Sequence, residues 1–398
     1  MPVSINRHVL NHSKRYLYFE GRTILKISES IRKLDDSDIG DNLFYYKYNI
    51  KHLLALKKQG LAEDDPHFLS SYRSFEGEVF ENFVYEKLLR YVINNDNVET
   101  FILKGPHKKG SKAEQNTLSV NAKGQIVYRN RSKEIGEFDG MIVTKSEIYF
   151  VEMTLVKSVT NLKRRLRKKR ALLQTIFPQY DIKALIVLNE GATGVKHLPD
   201  YCVVWHTRPF SAKHVFEYLT QPKKRKLKPF DQPQHAKLGD TDNLEIARFN
   251  YYGSLAWVFR KLRGGKHLLN MGFLASKTAT RYVDLFTKIY IGYMDRDGFV
   301  KMLPNFNAPI SDQVIVSIEK EHTGELLLTY FMAHSRKNLD KVSVSNGEIK
   351  VVKKDPFGIS VTEVAHMTHL MEAEHQLHIK EIHLIEKLLK QYNASIDF

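Results

Sequence analysis

Cysteine is almost missing from this chain: Cys202 is the only one in 398 residues. A single thiol excludes an internal disulfide and a cysteine-based zinc cluster, and it fits a reducing cytoplasm. Long apolar runs are missing too. None approaches the roughly 18 residues of a spanning helix, and the polar N-terminus lacks a signal-peptide core, so a cytoplasmic protein with no membrane partner is expected. There is no Gly-rich phosphate loop, no nucleophile elbow and no His-Glu-x-x-His zinc motif. Collagenous, coiled-coil and low-complexity periods are absent, as are internal repeats. Acid is in short supply as well: 45 Asp and Glu against 61 Lys and Arg leave a formal charge of +16. Such an excess calls for an anionic partner, and with a membrane surface set aside that partner is nucleic acid.

The most informative stretch is Glu134 to Lys157, EIGEFDGMIVTKSEIYFVEMTLVK. Two short apolar runs, Phe138 to Val143 and Ile148 to Leu155, flank the polar break Thr144 to Glu147, which predicts two antiparallel strands and their turn. With the turn centred between Lys145 and Ser146, Thr144 pairs with Glu147. The same register carries Asp139 opposite Glu152 and Glu137 opposite Thr154. Side chains alternate across a strand, so these four polar groups are expected on one face. Directly opposed Cβ atoms lie roughly 4.5–5.5 Å apart, close enough for Asp139 and Glu152 to share a divalent cation. A cation would offset the cost of desolvating two carboxylates among apolar neighbours. The plainer alternative is a sheet edge, where both are wet or paired with lysine.

Ser74 to Tyr91 predicts an amphipathic helix capped by Ser74, with Phe75, Val79, Phe83 and Leu88 in its apolar stripe. Glu81 stands out because it lies one turn beyond Gly77, a residue that lets the helix approach a strand closely. Otherwise Glu76, Glu78, Glu81 and Glu86 form a solvated acidic face. Asn161 to Gln174 predicts a second helix, and Lys163, Arg164, Arg165, Arg167, Lys168, Lys169 and Arg170 make it the most positive segment of the chain. Like charges so close repel unless phosphates neutralise them, which marks Lys163, Arg164, Arg167 and Lys168 as candidate nucleic-acid contacts.

Around these elements the pattern is α/β. A helix is expected over Leu43 to Lys58, ending at Gly60, and Tyr45, Tyr46 and Tyr48 read as packing aromatics rather than base-stacking ones. Strands over Val98–Leu103, Thr117–Val120 and Gln125–Tyr128 lead into the hairpin. Strands over Ile182–Leu188 and Tyr201–Trp205, with a helix between them, follow it. The result is a mixed sheet flanked by helices, in which the hairpin continues into a parallel element. Gln221 to Asn243, with three prolines and the basic run Lys223 to Lys228, reads as a linker.

Beyond the linker a helix over Leu244–Leu262 precedes three expected hairpins: Lys288–Tyr293 with Phe299–Leu303 across Asp297-Gly298, Val314–Glu319 with Glu325–Met332 across Thr323-Gly324, and Val342–Ser345 with Glu348–Val352 across Asn346-Gly347. A helix from Thr362 to Tyr392 ends the chain. Its Glu363, His366, His369, Glu372, His375, His378 and His383 lie on one helix, whereas a carboxylate-bridged dimetal site draws ligands from several. The expected domains are a helical and mixed region 1–70, a core 71–210, a basic linker 211–243 and a mainly antiparallel β module with helices, 244–398.

Gly77-x-x-x-Glu81, Glu137-Phe138-Asp139-Gly140 and Val151-Glu152-Met153-Thr154, followed by the basic helix, resemble the PD-(D/E)xK nuclease superfamily over about residues 70–210. The Gly77 to Glu81 spacing looks like that of archaeal Holliday-junction resolvases and Mrr-type enzymes. The resemblance implies a restriction-endonuclease-like fold and a DNA endonuclease that hydrolyses phosphodiester bonds with Mg²⁺ or Mn²⁺, held by Glu81, Asp139 and Glu152. Thr154 stands where the family has lysine. There it would orient the attacking water, while Lys157 or Lys163 would swing in a replacement ammonium. The alternatives are a nuclease-like core that has lost activity and only binds DNA, and an RNA-directed nuclease or binder. The C-terminal module would then serve targeting or dimerisation, and a homodimer is compatible with that role.

Overall fold

The computed structural model describes residues 37–103, 115–131, 133–221, 241, 244, 248–262, 270–274, 276–304, 312–333, 339–345, 348–354 and 376–394. The chain divides into two compact units, one of residues 1–160 with 177–247 and the other of residues 161–176 with 248–398. Most of the expected linker, 222–240 with 242 and 243, lies outside the described residues.

In chain order the first part holds α1 (Ser37–Asn42), α2 (Lys51–Lys58), α3 (Pro66–Ile93), β1 (Thr100–Leu103), β2 (Leu118–Val120), β3 (Ile126–Asn130), β4 (Lys133–Phe138), β5 (Gly140–Val143), β6 (Glu147–Thr154), α4 (Leu162–Ile176), β7 (Asp181–Leu188), β8 (Cys202–His206) and α5 (Lys213–Thr220). α3 starts two turns before the expected Ser74. Asp65 caps it, its carboxylate accepting the His67 N–H at 2.8 Å, and Pro66 occupies the first turn, where its missing N–H costs nothing. The single expected helix over Leu43–Lys58 is instead a 3-10 turn at Leu43–Tyr45, an extended break and then α2, which Gly60 ends in the left-handed region at φ +76°. The break leaves Tyr46 in the core, only 7% exposed.

The main sheet of the first unit runs β1-β5-β6-β7-β8. β1 with β5 and β5 with β6 are antiparallel, whereas β6, β7 and β8 are parallel. α4 is therefore the crossover that parallel β6 and β7 require. Between β7 and β8 stands only a short 3-10 turn, Val195–His197, in place of the helix expected there. One face, with Phe101, Ile142, Tyr149, Val151, Leu185 and Trp205, packs against Phe80, Val84 and Leu88 of α3. The N-terminal half of α3 builds a second cluster with Ile39, Leu43, Leu53 and Val215. Burial of an apolar side chain is worth about 1.5–3 kcal/mol, so α3 anchors both clusters.

The second unit contains α4 and then α6 (Tyr251–Leu262), α7 (Met271–Leu274), α8 (Lys277–Phe286), β9 (Lys288–Asp295), α9 (Arg296–Met302), β10 (Gln313–Lys320), β11 (Leu326–Ala333), β12 (Leu339–Ser345), β13 (Glu348–Lys354) and α10 (Ile379–Ala394). The helix expected from Leu244 begins at Tyr251, and the terminal helix begins at Ile379. Residues 355–375, with five of that helix's His and Glu positions, lie outside the described residues. The five strands form one antiparallel meander, β9 through β13 in sequence order. Two of the expected hairpins are present as β10–β11, turning at Gly324 with φ +107°, and β12–β13. The third is not. Asp295 accepts the Gly298 N–H at 2.6 Å and caps α9, so Phe299 lies on a helix and β9 pairs with β10 instead. Asp-Gly serves there as a first helical turn rather than a hairpin turn.

Among the described residues no helix is long and apolar enough to cross a membrane.

Candidate active site

The β5–β6 hairpin has the expected register: Gly140 pairs with Val151, Met141 with Phe150, Ile142 with Tyr149 and Val143 with Ile148. The turn closes with the Thr144 N–H donating to the Glu147 carbonyl at 2.9 Å. The first strand does not run straight through Asp139, however. Residues 133–138 form β4, which pairs with β3 in a separate three-stranded sheet, so Glu137 faces Val127 and not Thr154. Asp139 is the bend between the two strands. Its Oδ2 accepts the Met153 N–H at 3.1 Å, filling the ladder position that the chain vacated when it turned away. Its carbonyl accepts the Tyr85 hydroxyl from α3 at 3.1 Å.

Tyr85 reports what gathers at this bend. Burial raises its pKa well above the usual phenol range, and the charges of Asp139, Glu81 and Glu137 add to the rise. Glu81 lies one turn before Tyr85 on α3, so the helix delivers both to the start of β5. Tyr85 and Glu137 were not singled out in the sequence as site residues. Their signals, an i, i+4 partner of Glu81 and a second carboxylate two residues from Asp139, are meaningful only once the bend is known. Glu137 also accepts a hydrogen bond from Gln125 Nε2 at 3.1 Å.

Neither families, nor curated proteins, nor solved structures match this chain. Its likeness to the PD-(D/E)xK nucleases stands on motif residues and strand order.

The remaining candidates are distributed as follows. Glu152 is 2% exposed. Tyr149, Val151 and Met153 face α3, so alternation turns Glu152 and Thr154 to the opposite face of β6. Asp139 touches both sides, because its carboxylate bonds the N–H next to Glu152 while its carbonyl is held from α3. Thr154 is half-buried and its Oγ1 accepts the Val156 N–H at 3.3 Å. Lys157 lies beyond the strand with an exposed side chain. Its carbonyl is fixed by the Thr193 N–H at 2.9 Å and the Thr193 hydroxyl at 3.0 Å. The donors Glu81, Asp139 and Glu152 are all carboxylate oxygens, which suits a hard cation such as Mg²⁺ or Mn²⁺. As they stand, no three His, Cys, Asp or Glu side chains among the described residues form a group that would hold a metal ion.

The basic segment is helical as expected, α4, and belongs to the second unit. Arg167 points inward to that unit: Nη1 donates to the Glu321 carbonyl at 2.9 Å and Nη2 to the His322 carbonyl at 2.6 Å, clamping the β10–β11 turn. Arg164 is exposed, and Lys163 and Lys168 are half-buried.

Proposed function

We propose that this protein is a metal-dependent DNA endonuclease with a restriction-endonuclease-like core, acting in a reducing cytoplasm. The observation that carries the reading is the bend at Asp139. There the start of β5, the carboxylate-bearing end of β6 and the Glu81 turn of α3 meet, with Tyr85 fixing the Asp139 backbone. The order of helix α3, antiparallel β5–β6, helix α4 and parallel β7 supports it as well, being the order the resemblance implies. Asp139, Glu152 and Glu81 are the residues that would hold the cation. When bound, Mg²⁺ or Mn²⁺ supplies Lewis acidity and lowers the pKa of a coordinated water. Thr154 then orients the water with its hydroxyl, Lys157 offers an ammonium from its pinned loop, and Arg164 on α4 holds flanking phosphate.

Two observations favour the second reading, a DNA-binding protein without cleavage. Thr154 replaces the ammonium of the motif, and Asp139 has a structural task in bonding Met153. Incubating the full chain with supercoiled plasmid and Mg²⁺ or Mn²⁺ separates the two, with EDTA as control. The endonuclease reading expects nicked or linear product that EDTA and Asp139→Asn both abolish. Intact plasmid with wild type and with Thr154→Lys, while both bind DNA tightly, would establish the binding reading instead. RNA as competitor tells which nucleic acid is preferred.

A further inference from the structure

The C-terminal sheet buries a polar row where a sheet face is ordinarily apolar. Register aligns Tyr290 of β9, Ser317 of β10, Thr329 of β11 and Ser343 of β12 across four strands. Ser317 is 0% exposed and Thr329 1%, and among the described residues neither hydroxyl has a hydrogen-bond partner. Two residues along β10 on the same face is Glu319, 1% exposed, ion-paired with Lys288 of β9 at 3.2 Å and with Lys341 of β12 at 2.5 Å. Lys341 lies opposite Phe331, two residues from Thr329, so its side chain crosses β11 above Thr329 to reach Glu319 on β10. Lys288 reaches across the same face, its ammonium 4.9 Å from the Phe331 ring centre.

Two ammoniums thus share one carboxylate over a floor of hydroxyls. Donors far outnumber acceptors, and one positive charge has no carboxylate of its own. Arg164 adds a third positive charge to the field at Lys288, whose pKa is lowered chiefly by burial and further by Lys341 and Arg164. Both lysine side chains keep some access to solvent, whereas Glu319 and the two hydroxyls have almost none. A cation is repelled by this set. A tetrahedral oxyanion matches it, because each of its oxygens accepts from an ammonium or a hydroxyl.

We propose that this face of the C-terminal sheet binds a phosphate group between Lys288 and Lys341, with Ser317 and Thr329 donating from below. Small size is required, since only the lysine ends are reachable, so free phosphate or the terminal phosphate of a mononucleotide fits and a duplex backbone does not. This site is independent of the acidic bend on the other unit.

The test is calorimetric titration of the full chain with inorganic phosphate and with AMP, at constant ionic strength in chloride. Saturable binding is expected, and tighter binding of AMP than of inorganic phosphate would assign the source as a nucleotide. Lys288→Met leaves Lys341 and Glu319 as a balanced pair, so the fold should persist while affinity falls about 10- to 100-fold, the worth of one charge-assisted hydrogen bond. Thr329→Val keeps the shape of the side chain. It should weaken phosphate binding several-fold and raise the thermal midpoint of the free protein, because a hydroxyl without a partner is removed from the interior. Absence of binding, or equal affinity in wild type, Lys288→Met and Thr329→Val, would overturn the proposal and leave an adventitious ion only. A lowered midpoint for Thr329→Val with unchanged phosphate affinity would overturn it too, by showing that the hydroxyl already has an internal water.

Discussion

Glu86 and Asp139 show how far a carboxylate's role depends on neighbours that are distant in sequence. Glu86 belongs to the stretch read as an acidic helix face, yet it is 2% exposed and accepts from Tyr46 at 2.6 Å, Asn42 at 3.0 Å and Arg90 at 2.9 Å. Its first two partners are 40 and 44 residues away, so no local pattern could reveal them. Glu86→Leu should lower unfolding free energy by about 3 kcal/mol in urea titrations, because three donors and the Arg90 charge lose their acceptor together. Asp139 was legible as a polar interruption of an apolar run, but its bond to Met153 was not, since that bond exists only because β4 leaves the hairpin. Asp139→Asn retains an acceptor oxygen for the Met153 N–H. It should therefore leave the thermal midpoint nearly unchanged while abolishing plasmid cleavage. Asp139→Ala removes that acceptor and should additionally cost about 1–3 kcal/mol.

At the level of elements, the β5–β6 register could be read because its turn is short and its apolar alternation strict, whereas the split of the preceding strand could not. The Asp297-Gly298 pair misled for a definable reason: Asp295, two residues earlier, competes as a helix cap, and Gly298 lets that carboxylate approach its N–H at 2.6 Å. α4 poses a similar distinction between residues of one charge. Arg164→Gln should lower the slope of log K for DNA against log salt by about 0.9, the loss of one phosphate contact. Arg167→Gln should leave that slope unaltered and cost about 2 kcal/mol of stability, since the guanidinium serves two carbonyls of the β10–β11 turn. The loop after β6 is likewise fixed by a neighbour. Gly194 has φ +86°, and a Cβ there would stand 2.9 Å from Thr160 Cγ2. Gly194→Ala should displace the segment carrying Lys157, lowering stability by about 1–3 kcal/mol and cleavage with it.

For the whole molecule, alkaline pH is the informative stress. Burial raises the pKa values of Tyr46, Tyr85 and Tyr330 above the usual 10, so all three stay protonated in the folded chain where they would ionise in the unfolded one. The unfolded state then binds fewer protons. Stability is fully present below about pH 10 and is lost as pH rises above it. Lys288 has the opposite sign, its lowered pKa adding stability as pH approaches 10.5, but it is one group against three. Urea midpoints should accordingly hold to about pH 9.5 and then drop, and Tyr85→Phe should shrink the drop. The division into two units also has a genetic corollary. α4 is encoded between β6 and β7 of one unit but packs with the other, where Arg167 grips the β10–β11 turn. A gene split after residue 221 would thus hand each product a surface that belongs to its counterpart. Co-expressed, the two polypeptides should find one another and copurify, whereas the N-terminal product alone would carry a basic helix stripped of its packing and would be the more prone to aggregate.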